Sequence, residues 1–238
     1  MFMSLPDIII LAGGSGSRLR EAVPDLPKPM APINNKPFLE YQLDFIHSLG
    51  FKRVIFSTGY LGQVIETFFG DSYKELELEY AAEPQPMGTG GAIKFAFSRV
   101  QTPHFMVMNG DTMFNIDLDK FFQKHVEELA PVSVALRKVS DASRYGTVKM
   151  NRVGVITSFA EKLAQSGESL INGGIYLFAS RFFKKLNLPE IFSAEKDLFP
   201  ELVKKEQLYG QAFDAYFLDI GIPEDYKRAQ HEFLRFKY

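Results

Sequence analysis

The chain has 238 residues, of which 46% are hydrophobic and 24% are charged, and its formal net charge is −2. A chain so close to neutral lacks the global basic field that attracts nucleic acid, so we expect no nucleic-acid partner. The absence of cysteine excludes disulfides, thiolate metal sites and cysteine nucleophiles. The N-terminus lacks the basic segment of a signal peptide, and no apolar stretch reaches the roughly 20 residues of a membrane span. We therefore expect a cytoplasmic protein with no membrane partner.

Strand-like and helix-like segments alternate along the first half of the chain. Apolar residues at helical spacing predict a helix over 37–50, with Pro37 in its first turn and Gly50 at its C-terminal cap. This alternation predicts an α/β fold with a Rossmann-like, mostly parallel central sheet flanked by helices. The other segments predicted in this half are strands at 7–12, 53–58, 75–83 and 104–111, and helices at 62–70 and 89–100.

The pattern changes after residue 130, where short strand-like segments follow one another with few residues between them. They predict antiparallel additions to the sheet that form a substrate-binding extension. We expect a single domain over 1–238, with a nucleotide-binding half at about 1–130 and a second half at about 131–238. The segments concerned are strands at 132–139, 146–150, 154–162 and 170–179, and a closing helix at 222–236.

Three polar or glycine-rich stretches follow predicted parallel strands: GGSGSR, EPQPMGTGG and NGD. Ligands bind beyond the carboxyl ends of such strands, so we expect the three stretches to meet there. Gly13, Gly14 and Gly16 allow backbone N–H groups to approach an anion closely. Arg18 offers a planar fork for phosphate oxygens, and Lys28, flanked by two prolines, offers a point charge. This loop predicts a phosphate site.

Two common phosphate motifs are absent. The Walker pattern requires Gly-Lys-Ser/Thr after a glycine and four further residues, and the chain has no such run. A dinucleotide fingerprint would require glycine at position 19, which is leucine, and an acidic residue near 34–36, which reads Asn-Asn-Lys. A dehydrogenase is therefore excluded.

Several motifs in one order resemble the sugar-1-phosphate nucleotidyltransferases, also called NDP-sugar pyrophosphorylases. They are LAGGSGSRL, PKPMAPINNKPFLEY, EPQPMGTGGA, NGD, EK, NGGIY and DIGIPEDY, and they extend over about residues 7–228. Within the family, PKPMAPINNKPFLE and LINGGIYLF are most similar to the D-glycero-α-D-manno-heptose 1-phosphate guanylyltransferases.

The resemblance implies a reaction in which a sugar 1-phosphate oxygen attacks the α-phosphorus of a nucleoside triphosphate and pyrophosphate leaves. The nucleophile is already an anion, so catalysis consists of positioning and charge neutralisation. The implied cofactor is Mg²⁺, which one or two carboxylates can hold. The resemblance places it on Asp111 and Asp219.

The resemblance also assigns roles to residues at matching positions. It implies Arg18, Lys28, Asp111 and Lys162 as catalytic residues. The implied sugar-phosphate site consists of Gly146, Glu161, Lys162, Asn172 and Gly173. The implied nucleotide site consists of Leu11, Ala12, Gly13, Gly14, Ser15, Gly16, Ser17, Arg18, Lys28, Glu83, Gly88, Thr89 and Asp111.

Glu83 bears on the choice of base. It stands where thymidylyltransferases carry glutamine, and a carboxylate can only accept hydrogen bonds. Guanine presents two adjacent donors, N1–H and the 2-amino group, whereas a pyrimidine would set a carbonyl against the carboxylate. Glu83 therefore favours GTP. Some uridylyltransferases also resemble the EP…GTGG motif, so a pyrimidine nucleotide stays an alternative substrate.

Other activities stay open at this stage. They are mannose-1-phosphate guanylyltransferase, a uridylyl- or thymidylyltransferase, and a non-catalytic regulatory module on the same fold. A regulatory module is disfavoured because the basic residues and both aspartates are present. A glycosyltransferase would normally show Asp-x-Asp where this chain has Asn-Gly-Asp at 109–111. The sequence leaves a homo-oligomer open.

Overall fold

The computed structural model describes residues 4–14, 19, 23–142, 146–160 and 166–236. The strands are β1 (Asp7–Ala12), β2 (Pro32–Ile33), β3 (Lys36–Pro37), β4 (Arg53–Thr58), β5 (Ser72–Tyr73), β6 (Leu76–Ala82), β7 (His104–Asn109), β8 (Thr112–Phe114), β9 (Val132–Asp141), β10 (Thr147–Met150), β11 (Ile156–Ala160), β12 (Ser166–Ala179), β13 (Leu208–Phe213) and β14 (Phe217–Asp219). The α-helices are α1 (Phe38–Ser48), α2 (Gly62–Phe69), α3 (Gly88–Phe97), α4 (Leu118–Glu127), α5 (Ser180–Phe183), α6 (Phe199–Lys204) and α7 (Pro223–Glu232). Lys28–Met30 and Phe233–Arg235 form 3₁₀ turns, and Ala194–Leu198 forms a π-helix.

A central sheet in the order β11-β10-β12-β7-β1-β4-β6-β5 dominates the fold. Strands β7, β1, β4 and β6 are mutually parallel, and Ile9 on β1 pairs with Ile55 on β4 and Val107 on β7. The runs DIIILA and RVIFST are largely apolar because these strands are covered on both faces. The predicted α/β class with a mostly parallel sheet is confirmed.

The second half of the chain continues the same sheet. Strand β12 pairs antiparallel with β7, and β9 and β10 pair antiparallel with β12. The predicted antiparallel additions are therefore confirmed. Strand β13, which the sequence pattern did not predict, pairs parallel with β9.

Helices cover both faces of the sheet, following the alternation of side chains along the strands. Ile8 and Ile10 pack on one face in the cluster that contains Leu39 of α1. Ile9 faces the opposite side, in the cluster that contains Ile93 of α3. Successive strand residues point to opposite faces, so a single apolar strand contributes to both core layers.

Local signals mark the end of α1 and the start of α4. Gly50 adopts φ +82° after α1 and donates its backbone N–H to His47 O at 2.9 Å, as the cap prediction requires. Pro37 precedes α1 as its N-cap residue instead of lying in the first turn. The sequence analysis did not predict α4, whose start is capped by Asp117 accepting from Lys120 N at 2.9 Å.

None of the helices within the described ranges has both the length and the apolar character needed to cross a membrane.

His125 is a buried titratable group on α4, away from the loops singled out above. Its side chain is 2% exposed, and its ring nitrogens lie 2.8 Å from Ser133 Oγ and 3.1 Å from His104 Nδ1. Burial, together with the charge of protonated His104, lowers the pKa of His125 to about 3. The folded chain therefore keeps this imidazole neutral under mildly acidic conditions.

Replacing His125 with glutamine should reduce the pH dependence of stability. As pH falls below about 6.5, the unfolded wild type binds a proton at His125 that the folded state excludes, which costs up to about 1.4 kcal/mol per pH unit. The free energy of unfolding of the wild type and of His125→Gln is measured with urea at pH 7 and 4.5. The two proteins share all other titrating groups, so the wild type should lose more free energy of unfolding at pH 4.5 than the variant. Equal loss of unfolding free energy in both proteins would contradict the assignment.

Candidate active site

Four parallel strands end at the same edge of the sheet and bring the predicted loops together. The pairing continues beyond the strands: Gly110 N donates to Leu11 O at 3.0 Å, and Glu83 N donates to Thr58 O at 2.7 Å. The residues that follow β1 and β7 therefore lie side by side, and Glu83, which follows β6, reaches past the end of β4 to Gly13, as expected for an open parallel sheet.

A cavity of about 540 Å³ opens at this edge. Six residues predicted to bind nucleotide line it, and Ala12 is buried beside them at the end of β1. The size and the mixed apolar and polar lining suit a small organic ligand. The lining residues are Leu11, Gly13, Gly14, Gly59, Tyr60, Glu83, Gln85, Pro86, Met87, Gly88, Thr89 and Ala92.

Glu83 presents its carboxylate in this cavity. One oxygen accepts from Ser57 Oγ at 3.2 Å, and the other accepts from Met87 N at 3.2 Å. Burial raises the pKa of Glu83, which these two donors partly offset. Gly13 lies directly opposite, and a Cβ atom there would overlap Glu83 Oε1. The absence of a side chain at Gly13 leaves the space that Glu83 occupies.

Lys28 joins two carboxylates that are distant in sequence. It starts a 3₁₀ turn whose second residue is Pro29, and its side chain is 10% exposed. Its ammonium donates to Asp111 Oδ2, just beyond β7, and lies 3.5 Å from Asp219 Oδ1 at the end of β14. Backbone pairing of Asp219 with Thr112 fixes the separation of the two aspartates.

The two aspartates form a donor set that fits Mg²⁺. Burial and the nearby Asp111 charge raise the pKa of Asp219, and the positive charge of Lys28 offsets this increase only in part. Gly221 N donates to Asp219 Oδ1 at 2.6 Å and orients it. Within the described ranges no group of three or more His, Cys, Asp or Glu could hold a metal ion. Mg²⁺ needs only one or two carboxylates when water and phosphate oxygens complete its shell.

Two of the residues predicted to bind sugar, Asn172 and Gly173, lie on β12, and Gly146 directly precedes β10. Asn172 donates from Nδ2 to Tyr176 OH at 2.7 Å and accepts from Gly174 N at 3.0 Å. The pairing of Thr147 with Ile171, extended by one residue, sets Gly146 beside Asn172. Gly173 is packed so tightly that a Cβ atom would overlap the Phe114 ring.

Six predicted site residues lie outside the described ranges. They are Ser15, Gly16, Ser17, Arg18, Glu161 and Lys162. Their roles stay predictions.

Comparison with known families decides the placement of the chain. Residues 7–235 match the family model described as Nucleotidyl transferase. The chain belongs to the nucleotidyl transferase family.

Two curated members of the family are similar along nearly their whole length. D-glycero-α-D-manno-heptose 1-phosphate guanylyltransferase of Aneurinibacillus thermoaerophilus is 45% identical, with 95% of this chain and 97% of the relative covered. The protein of the same name from Campylobacter jejuni is 43% identical, with 92% and 96% covered. The structure of HddC from Yersinia pseudotuberculosis complexed with GMP-PN superposes with a TM-score of 0.84 at 33% identity, covering 96% of this chain and 100% of that chain.

The GTGG run of this nucleotidyl transferase has a packing role that the sequence analysis missed. Gly90 and Gly91 donate their N–H groups to Phe192 O at 3.0 and 3.2 Å. A Cβ atom at Gly90 would overlap the Phe192 ring. These glycines allow the segment before the π-helix to lie directly against the start of α3.

Gln42 is a second residue that the sequence analysis missed. It is fully buried on α1, and its Nε2 donates to Asn109 O at 2.9 Å and Thr112 O at 2.8 Å. These two carbonyls flank the Gly110–Asp111 turn, so the amide holds Asp111 from behind. Its Oε1 is buried without a hydrogen-bond partner. A glutamine within the apolar stripe of a predicted helix was the available signal.

Replacing Gln42 with leucine should remove the donor that the Asn109 and Thr112 carbonyls share and loosen the Asp111 turn. We expect kcat to fall about tenfold, stability to fall by about 1–3 kcal/mol, and half-maximal activity to require more Mg²⁺. Pyrophosphate release over a Mg²⁺ series and thermal unfolding measure these effects.

Gln230→Leu is the matched control. Gln230 also donates from Nε2 to a backbone carbonyl, Pro32 O at 2.8 Å, but it does not touch this turn. If Gln42→Leu needs the same Mg²⁺ concentration for half-maximal activity as the wild type, Gln42 has a purely structural role.

Proposed function

We propose that this chain is a sugar-1-phosphate guanylyltransferase that condenses GTP with D-glycero-α-D-manno-heptose 1-phosphate to give GDP-heptose and pyrophosphate. The observation that carries this proposal is 45% identity over 95% of the chain to an enzyme of that name. The geometry of the candidate site supports it independently. The absence of cysteine is compatible with the cytoplasmic location, which stays a prediction.

The base is assigned to the cavity that Glu83 faces. Its carboxylate offers two acceptor oxygens, which match the N1–H and 2-amino donors of guanine. Met87 N and Ser57 Oγ hold the carboxylate in place at 3.2 Å each. The HddC structure with GMP-PN supports a guanine nucleotide on this fold.

The reaction requires little covalent chemistry from the protein. An oxygen of the sugar 1-phosphate forms a bond to the α-phosphorus of GTP, and the bond from that phosphorus to the bridging oxygen breaks as pyrophosphate leaves. Lys28, held in place by Asp111 and Asp219, supplies positive charge to the triphosphate. A Mg²⁺ ion, when bound by the two aspartates, would neutralise further phosphate charge. Positioned cations of this kind stabilise the charge that develops in the transition state.

The sugar phosphate is assigned to the antiparallel half at about 131–238, and the nucleotide to the half at about 1–130. Within the described residues, the contacts of Asn172 leave one N–H and one lone pair of its side-chain amide for sugar hydroxyls. Gly146 directly precedes the neighbouring strand β10, where its backbone can approach the sugar closely. Glu161 and Lys162 complete this proposed half-site.

Pyrophosphate release over a grid of substrates tests the proposal. GTP, UTP, dTTP, CTP and ATP are each combined with heptose, mannose, glucose and N-acetylmuramic acid 1-phosphates. We expect GTP with the heptose phosphate to give the highest kcat/KM. Glu83→Gln should lower the preference for GTP over UTP by about tenfold or more, because one guanine donor would then face an amide donor. A wild type that prefers a pyrimidine would overturn the base assignment, and one that prefers mannose phosphate would overturn the sugar assignment.

Lys28→Ala should reduce kcat about 10²–10³-fold, since it removes a positioned cation from the triphosphate site. Lys36→Ala is the matched control. Lys36 also joins two acidic groups, Glu40 and Asp44, but these lie on α1 outside the cavity. Steady-state kinetics and circular dichroism of both variants separate lost chemistry from lost fold. Near-wild-type turnover in Lys28→Ala would show that this ammonium is dispensable.

A further inference from the structure

A chain of side-chain hydrogen bonds crosses from the nucleotide cavity to the sugar strand. It runs from Thr89 to Glu195, then to Tyr176 and Asn172. Thr89 lies near the start of α3 and lines the cavity, whereas Asn172 lies on β12. Glu195 belongs to neither wall, because it is carried by the π-helix Ala194–Leu198.

Both oxygens of Glu195 receive donors from different parts of the fold. Oε2 accepts from Thr89 Oγ1 and from Ser193 Oγ, the latter at 2.9 Å. Oε1 accepts from Tyr176 OH at 3.1 Å. With three hydroxyl donors converging on it, the carboxylate orients its neighbours instead of offering a free acceptor to a ligand.

Tyr176 transmits this orientation to Asn172. The ring is fully buried, and burial together with the Glu195 charge holds the pKa of the phenol well above its usual value. The hydroxyl therefore stays protonated, donates to Glu195 and accepts from Asn172 Nδ2 at 2.7 Å. Gly174 N fixes the other end of the Asn172 amide at 3.0 Å.

Thr89 is fixed from both sides in the same way. Its hydroxyl donates to Glu195 and accepts from Ala194 N at 2.9 Å. The start of α3, which forms one wall of the cavity, is thereby attached to the helix that carries Glu195. One carboxylate thus sets side chains that face each of the two proposed substrates.

We propose that Glu195 is a positioning residue that orients the nucleotide wall at Thr89 and the sugar-recognition side chain Asn172 together. The inference rests on the proposed function for the assignment of these two side chains to the two substrates. It goes beyond the proposed function in naming the residue that makes the two sites depend on each other.

Three variants divide the network at different points. Glu195→Ala removes the shared acceptor, so KM for the triphosphate and KM for the sugar phosphate should each rise about tenfold. Tyr176→Phe breaks only the branch to Asn172, so KM for the sugar phosphate should rise about five- to tenfold while KM for the triphosphate stays within about twofold. These changes correspond to the loss of about one hydrogen bond each.

Asp197→Asn is the matched control. It removes a carboxylate charge from the same π-helix, where Asp197 accepts from the backbone N–H of Ser193 at 2.7 Å; the asparagine keeps an oxygen for this bond, and the Ser193 hydroxyl that donates to Glu195 is unchanged. Both KM values should stay within about twofold of the wild type. Glu195→Gln, which keeps the shape of the side chain, should give KM values between those of the wild type and Glu195→Ala.

All variants are assayed with the substrate pair that the wild type accepts in the grid, and their thermal unfolding is recorded beside the kinetics. A wild type that uses another pair overturns the proposed substrates, and the network is then tested with that pair. Unchanged KM values in Glu195→Ala would overturn the positioning role. So would equal effects of Tyr176→Phe on both substrates, or a loss of kcat and melting temperature with both KM values unchanged.

Discussion

The ion pairs of Lys28 with Asp111 and Asp219 are the interaction on which the arrangement of this site depends. Two carboxylates brought together repel each other, and a compact ammonium between them offsets that cost. Their approach requires the chain after β13 to return to the end of β7. The pairing of β14 with β8 and the hydrogen bond from Ile220 N to Asp111 O at 3.0 Å provide that return. The segment formed by β14 and Ile220 is therefore part of the site, although it lies outside the parallel strands whose ends form the cavity.

One continuous sheet holds the two halves of the site in fixed relation. Because β12 pairs with β7, the strand that carries Asn172 lies beside the strand that leads to Asp111. The register between β12 and β9 shifts between Asn172 and Tyr176. A bulge of this kind re-aims side chains locally, and here both residues join the Glu195 network. Gly174, at φ +73° and against the Asn109 side chain, accommodates the distortion.

Sequence reasoning recovered the features that local pattern determines. The parallel strands could be predicted because burial on both faces demands continuous apolar runs, and the loops because glycines and polar residues end those runs. Helix α4 was missed although Asp117 and the spacing of Phe121, Phe122 and His125 carry a helical signal. Gln42 and Glu195 could not be assigned roles, because their partners lie far along the chain, 67 to 70 residues away for Gln42 and 106 for the Thr89 partner of Glu195. Such roles arise from topology.

The glycine-rich loop after β1 has a steric role that a phosphate site alone would not explain. Gly13 is required because a Cβ atom there would overlap the Glu83 carboxylate and come within 3.2 Å of Gly59 N. The same glycine opens the backbone toward the proposed triphosphate. Any side chain at position 13 would therefore displace the Glu83 carboxylate, which is proposed to bind the base. The same side chain would leave less space for the phosphates beside the backbone. Base selection and phosphate binding both depend on Gly13. Under the proposed function, a substitution at this position therefore changes both.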